Sequence, residues 1–132
     1  MEIFPSIDLL IPQKSPFVMV DNCIFHSEEL TRSEFLIGFE NVLVDEGFLT
    51  AYGLIENMAQ TAAIRAGLEA YNRNNTPPVG YIGTISNAVI SELPKVGNII
   101  VTSVKQKTQL LNIIVIEAEC KIEEKLLAQC EM

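Results

Sequence analysis

From about Leu49 to Tyr71 the chain carries no proline and little β-branching, and alanine recurs at 51, 59, 62, 63, 66 and 70. Such a run favours helix. The helix is apolar on nearly every side, whereas a helix at the surface of a domain shows one apolar stripe, so this one must be covered most of the way round. Its length alone would also admit a membrane span. Glu56, Asn57, Gln60, Thr61 and Arg65 would be costly in hydrocarbon, so a buried helix in a soluble domain is the better reading.

The remaining segments supply the cover. Ser6 to Leu10 reads as one or two helical turns, and Pro12 and Pro16 then break the chain. Phe17 to His26 reads as a strand, with Thr31 to Phe39 as its hairpin partner across Ser27, Glu28 and Glu29. Phe35, Ile37 and Phe39 fall on one face of that partner. Glu40 to Phe48 has no sustained period and reads as a loop. Past the helix, Val79 to Glu92, Asn98 to Thr108, Asn112 to Glu123 and Leu126 to Met132 are strand candidates separated by Pro94, Gly97 and short polar turns. Asn112 to Glu123 alternates most cleanly, with Ile114, Ile116, Ala118, Cys120 and Ile122 on one face. Leu126, Ala128, Cys130 and Met132 continue the inward set.

One apolar helix and about six antiparallel strands, each apolar on one face, bury everything at once if a curved sheet wraps the helix. That is the hotdog architecture, an α+β fold, expected here as a single domain over residues 1–132. The small residues Gly53, Ala59, Ala62, Ala63, Ala66 and Gly67 would let helix and sheet approach closely, with Gly80 and Gly83 doing the same from the next strand. A lone helix in a small sheet leaves an open side and a strand edge, so a dimer or larger assembly is expected.

Nine Lys plus Arg stand against seventeen Asp plus Glu, a net charge of −8. Nucleic acid and anionic membranes need clustered basic residues, so both are poor partners. Cys23, Cys120 and Cys130 match no zinc or redox spacing, and the first fifteen residues show no secretory pattern, which together point to the cytoplasm. A single histidine, His26, with scattered acids makes no metal ligand set, and no cofactor is expected.

Two segments carry a resemblance. LIPQKSPFVMVD at 10–21 and GLIENMAQTAA at 53–63 resemble the opening and the central helix of the bacterial 3-hydroxyacyl-acyl carrier protein dehydratases, and the order of elements agrees from Ser6 to Met132. The resemblance implies that Glu56 is the catalytic carboxyl group, which delivers a proton to the departing hydroxyl. It implies that the helix start, most closely Ala51, offers a backbone N–H to the thioester carbonyl. Val42, Leu49, Tyr52 and Gln60 would complete the substrate surface, and the substrate would be a thioester of acyl carrier protein or CoA. In that family the base is a histidine on the loop before the helix. This chain has NVLVDEGFLTA at 41–51, with Val42 at the histidine position, and loss of a general base typically costs about 10²–10⁴-fold in rate. His26 lies at the far end of the first strand, where a solvated turn residue is the plainer reading.

The histidine-less loop, the EGFLTAYGLIENMAQTAA entry and PPVGYIGTISNAVI after the helix look like the ApeP-like accessory dehydratase subunits of aryl-polyene biosynthesis. That resemblance implies a partner: a homodimer or, better, a heterodimer with a dehydratase paralogue whose histidine completes the site beside Glu56. Two other readings stay open. A hotdog thioesterase would use Glu56 to activate water, with Asp45 or Glu46 as a further loop acid. A non-catalytic subunit would bind the acyl chain, lined by Val42, Leu43 and Val44. Glu56 also has a purely structural reading, bonded to backbone or to a neighbour such as Tyr52 or Asn57. Lys105 and Lys107 offer a docking point for an acidic carrier, or simply a solvated strand face.

Overall fold

The helix forms where the alanine-rich run placed it. In the computed structural model, which describes residues 3–76, 80 and 82–132, α1 spans Ala51–Asn72. Thr50 caps it: its hydroxyl accepts from the Gly53 N–H at 3.3 Å and donates to the Leu43 carbonyl at 2.9 Å, which ties the helix start to the preceding loop. At the other end Asn74 adopts φ 57°, a left-handed turn that asparagine tolerates and that stops a helix.

Among the described residues eight strands follow in sequence order: β1 Asn22–His26, β2 Leu30–Leu36, β3 Val44–Asp45, β4 Phe48–Leu49, β5 Ser86–Ile90, β6 Ile99–Leu110, β7 Ile113–Ile122 and β8 Lys125–Glu131. Six of them make one antiparallel sheet in the order β1-β2-β6-β7-β8-β5, and β3 with β4 makes a separate small ribbon. The helix lies on this sheet. Leu54 and Met58 pack with Ile100, Val104, Ala118, Cys120 and Leu127, while Ile64 and Leu68 pack with Leu10, Ile11, Val20 and Cys23 of the N-terminal segment. Sheet and N-terminal segment together cover the helix, the arrangement its all-round apolar surface demanded.

Two of the small helix residues mark real close approaches. A Cβ on Gly67 would stand 1.8 Å from the Leu10 carbonyl oxygen, and one on Gly53 would stand 2.5 Å from the Leu49 side chain. The glycines of the later segment do not follow suit: Gly80 and Gly83 have nothing within 4 Å and both precede β5.

Several expected boundaries are corrected. The first strand begins at Asn22 and not Phe17, because the backbone of residues 17–19 is bonded to side chains of α1 and has no strand partner among the described residues. The hairpin partner ends at Leu36, and Phe39, expected inward, is 76% exposed. The loop at 40–48 holds the β3–β4 ribbon, turned at Glu46 and Gly47, both at positive φ. The strand expected over Val79 to Glu92 is only Ser86–Ile90; Pro77, Pro78, Val79 and Tyr81 lie outside the described residues. Ile114 is exposed, since the outer part of the β6–β7 hairpin runs past both flanking strands. Leu126 is exposed and Leu127 buried because the β7–β8 register shifts at Cys120/Lys121. A bulge of that kind flips every side chain beyond it.

Candidate functional site at the start of the central helix

Glu56 lies on the second turn of α1 and is half-buried. Gln60, one turn further on, donates from Nε2 to Glu56 Oε2 at 3.2 Å and to the Phe17 carbonyl at 2.9 Å. Gln60 Oε1 accepts from the Met19 N–H at 2.6 Å, and Asn57 Nδ2 donates to the Met19 carbonyl at 2.7 Å. Two amide side chains thus grip three backbone groups of residues 17–19. Asn57 is held in turn by the Thr102 hydroxyl of β6, which donates to Asn57 Oδ1. Thr61 bonds the Asn57 carbonyl at 2.8 Å and lies 2.7 Å from the Ser33 hydroxyl. Asn57, Gln60, Thr61, Ser33 and Thr102 are all fully buried, and each is hydrogen-bonded, as polar groups inside a core must be.

Above Glu56 the helix opens to solvent. The Leu54 N–H bonds the Thr50 carbonyl at 3.1 Å and the Gly53 N–H goes to the Thr50 hydroxyl, so the amides of Ala51 and Tyr52 lead the helix. Amides at that position are suited to stabilising negative charge on an acyl oxygen. Ala51 is exposed and the Tyr52 side chain is 65% exposed. Val42, on the loop before β3, is also exposed. Chemically the site presents one carboxyl group, able to give or take a proton, beneath a set of leading amides.

The other expected residues are buried beneath the site or sit elsewhere. Leu49 is fully buried beneath Gly53, and Gln60 is buried with its amide committed to Glu56 and the Phe17–Met19 backbone. Asp45 and Glu46 are exposed on the β3–β4 turn. His26 lines an open groove of about 500 Å³ with Leu68, Tyr71 and Asn72, and its Nδ1 lies 2.9 Å from the Thr31 hydroxyl. Leu68 alone is about 18 Å along the helix from Glu56 at 1.5 Å per residue, so His26 is at the opposite end. Lys107 is paired with Glu131 at 2.7 Å and Glu117 at 3.8 Å; the hydrogen bond and charge of Glu131 raise its pKa. Sequence reasoning missed Asn57, Thr102 and Phe17. The available signal was Asn57 itself, a polar residue interrupting an apolar face.

A helix laid on a six-stranded antiparallel sheet, with a carboxyl group just inside its start, defines a hotdog-fold protein of the dehydratase type. Over residues 5–132 the chain matches the ApeP-like family, described as ApeP dehydratase. The chain belongs to that family, and its function is dehydratase-like. It is 30% identical over 133 residues to a 3-hydroxyacyl-[acyl-carrier-protein] dehydratase FabZ of Rhizobium etli CFN 42, and 33% identical over 134 residues to FabZ of Rhizobium etli CIAT 652. Each match covers 93% of this chain and 81% of the relative. Among solved structures it is similar to the dehydratase heterocomplex ApeI:P from Xenorhabdus doucetiae, with a TM-score of 0.90, 16% identity, and coverage of 98% of this chain and 89% of that one. A hypothetical thioesterase with coenzyme A from Streptococcus pneumoniae shares the fold at a TM-score of 0.67 and 9% identity, over 83% of this chain and 80% of that one. Among the described residues, no helix is long and apolar enough to cross a membrane.

Proposed function

We propose that this chain is the histidine-less subunit of a composite dehydratase, with Glu56 supplying the acid and a dehydratase paralogue supplying the base. One observation carries the reading: Glu56 is pinned by Gln60 at the open start of α1, while the chain's only histidine stands at the other end of that helix. Dehydration needs a base for the α-proton and an acid for the β-hydroxyl, so this chain holds half the equipment. The similarity to the ApeI:P heterocomplex supports a paralogue as the source of the other half.

In the proposed reaction the partner's imidazole takes the α-proton of a 3-hydroxyacyl thioester. Charge developing on the thioester oxygen is met by the leading amides at Ala51 and Tyr52. Protonated Glu56 gives its proton to the β-hydroxyl, the C–O bond breaks, water leaves, and a trans-2-enoyl thioester remains. Reprotonating Glu56 and deprotonating the imidazole restore the site. Val42 and Tyr52 border the substrate, while Leu49 and Gln60 act from beneath by fixing the helix start and the carboxylate. The setting proposed is cytoplasmic fatty-acid or aryl-polyene synthesis.

Hydration of crotonyl and longer enoyl thioesters, followed optically, tests this on five samples: the chain alone, its Glu56→Gln variant, a histidine-bearing paralogue from the same genome alone, and that paralogue mixed with each. Activity that appears only in the mixture and drops about 10²–10⁴-fold with Glu56→Gln is the expected result. A mixture no faster than the paralogue alone, and indifferent to Glu56→Gln, sinks the proposal. Thioester hydrolysis by the chain alone would replace it with a thioesterase.

A further inference from the structure

We infer that Phe17 is a specificity-determining residue of the Glu56 site, its ring forming the wall against which the acyl chain lies. This rests on the function proposed above. Phe17 is a large apolar residue left 62% exposed, two positions before the fully buried Met19. Its backbone is nonetheless held on both sides. Its carbonyl accepts from Gln60, its N–H donates to the Lys14 carbonyl at 2.9 Å, and the Met19 N–H and carbonyl are gripped by Gln60 and Asn57. A ring displayed on a fixed frame is a feature of a contact surface and not of a loose end.

Its place is set by the Gln60 nitrogen. Nε2 is 2.9 Å from the Phe17 carbonyl and 3.2 Å from Glu56 Oε2, so those two oxygens lie within about 6 Å of each other. Tyr52, Glu56 and Gln60 follow one another at four-residue spacing on one face of α1. Along that line the side chains pass from exposed Tyr52, through half-buried Glu56, to fully buried Gln60. Past Glu56 the way is therefore closed by Gln60 and the backbone of residues 17–19. A substrate whose hydroxyl meets Glu56 has to run its chain outward, along the exposed rings of Phe17 and Tyr52. Removing the ring therefore penalises long chains and leaves short ones nearly unaffected.

The test compares crotonyl with trans-2-octenoyl thioesters on the chain assembled with the histidine-bearing paralogue. Phe17→Ala is expected to lower kcat/KM about tenfold on the octenoyl substrate, the usual size of a lost apolar contact in a pocket, and less than about twofold on the crotonyl one. Phe17→Leu, the milder change if alanine impairs folding, is expected to fall between. Leu111→Ala, at the far hairpin tip, serves as the control. Equal losses on both substrates, or none on either, overturn the assignment. If the assembly turns over neither substrate, the composite-site reading has failed. The same contrast is then read as affinity of the chain for octanoyl- against butyryl-pantetheine, where a ratio that Phe17→Ala leaves unchanged overturns the Phe17 assignment as well.

Discussion

At one end of α1 the neutral amides of Asn57 and Gln60 grip the backbone of Phe17–Met19; at the other, the guanidinium of Arg65 grips the turn between β1 and β2. Arg65 Nη1 donates to the Ser27 carbonyl at 3.0 Å and to the Thr31 hydroxyl at 3.3 Å, and Nη2 donates to the Glu28 carbonyl. Only 9% of Arg65 is exposed, so its charge is spent on uncharged acceptors within the fold. The Glu56 end works the other way. Because amides carry no charge, they fix the extended segment and still leave a carboxylate with one hydrogen bond from Gln60 and access to solvent. The same structural task, tying an extended segment to a helix, leaves a reactive group available at one end and none at the other.

The sharpest way to break this comparison is Glu56→Gln. Its expected effect is the loss of about 10²–10⁴-fold in composite activity, with thermal stability nearly unchanged, since the replacement keeps the shape and can still accept from Gln60. Arg65→Met is expected to do the reverse. Losing its three charge-assisted bonds costs about 4–5 kcal/mol, seen as a lower denaturant midpoint at constant slope, while activity per folded molecule stays the same. If Arg65→Met cut activity as deeply as Glu56→Gln, the two ends would not be functionally separate.

The contrast between the ends was only partly readable beforehand. The helix was legible because alanine and the absence of proline act locally, and β6 and β7 were legible because each shows a face. Glu56 and the leading amides came from the resemblance. What the two ends hold was not legible. Asn57, Gln60 and Arg65 find their long-range partners 34 to 45 residues away, a distance over which periodicity says nothing. Phe17 looked like the first residue of a strand because an apolar run has the same pattern whether its backbone pairs with a strand or with side-chain amides. Leu126 failed for a similar reason: a one-residue bulge leaves no mark on the alternation.

A third measurement sharpens the comparison from the sheet side. Cys120 on β7 stands opposite Thr102 of β6, the residue that holds Asn57, and burial pushes its thiol up to about 11 against an ordinary value of 9.0. The unfolded chain therefore gives up this proton first. Stability is full below about pH 9, declines as pH rises towards 11, and flattens above it, a loss on the order of 2–3 kcal/mol at 1.36 kcal/mol per pH unit. Cys130, raised chiefly by burial as well, adds to the same decline. Urea unfolding between pH 8 and 11 should show the slope reduced in Cys120→Ala. An unchanged slope would remove the thiol from the support of the Glu56 end.

The smallest effect is expected at the tip of the β6–β7 hairpin, which projects beyond the Arg65 end. Leu111 is 88% exposed and takes φ 57°, a left-handed conformation that costs a branched side chain about 1–2 kcal/mol and asparagine less. Leu111→Asn should therefore stabilise the isolated chain by about 1 kcal/mol, raising the denaturant midpoint slightly. It should leave composite activity untouched, because the tip lies at the end of the molecule that carries no chemistry. A drop in activity with the fold intact would mean that this end meets the partner or the substrate after all, and the division of labour along α1 would have to be redrawn.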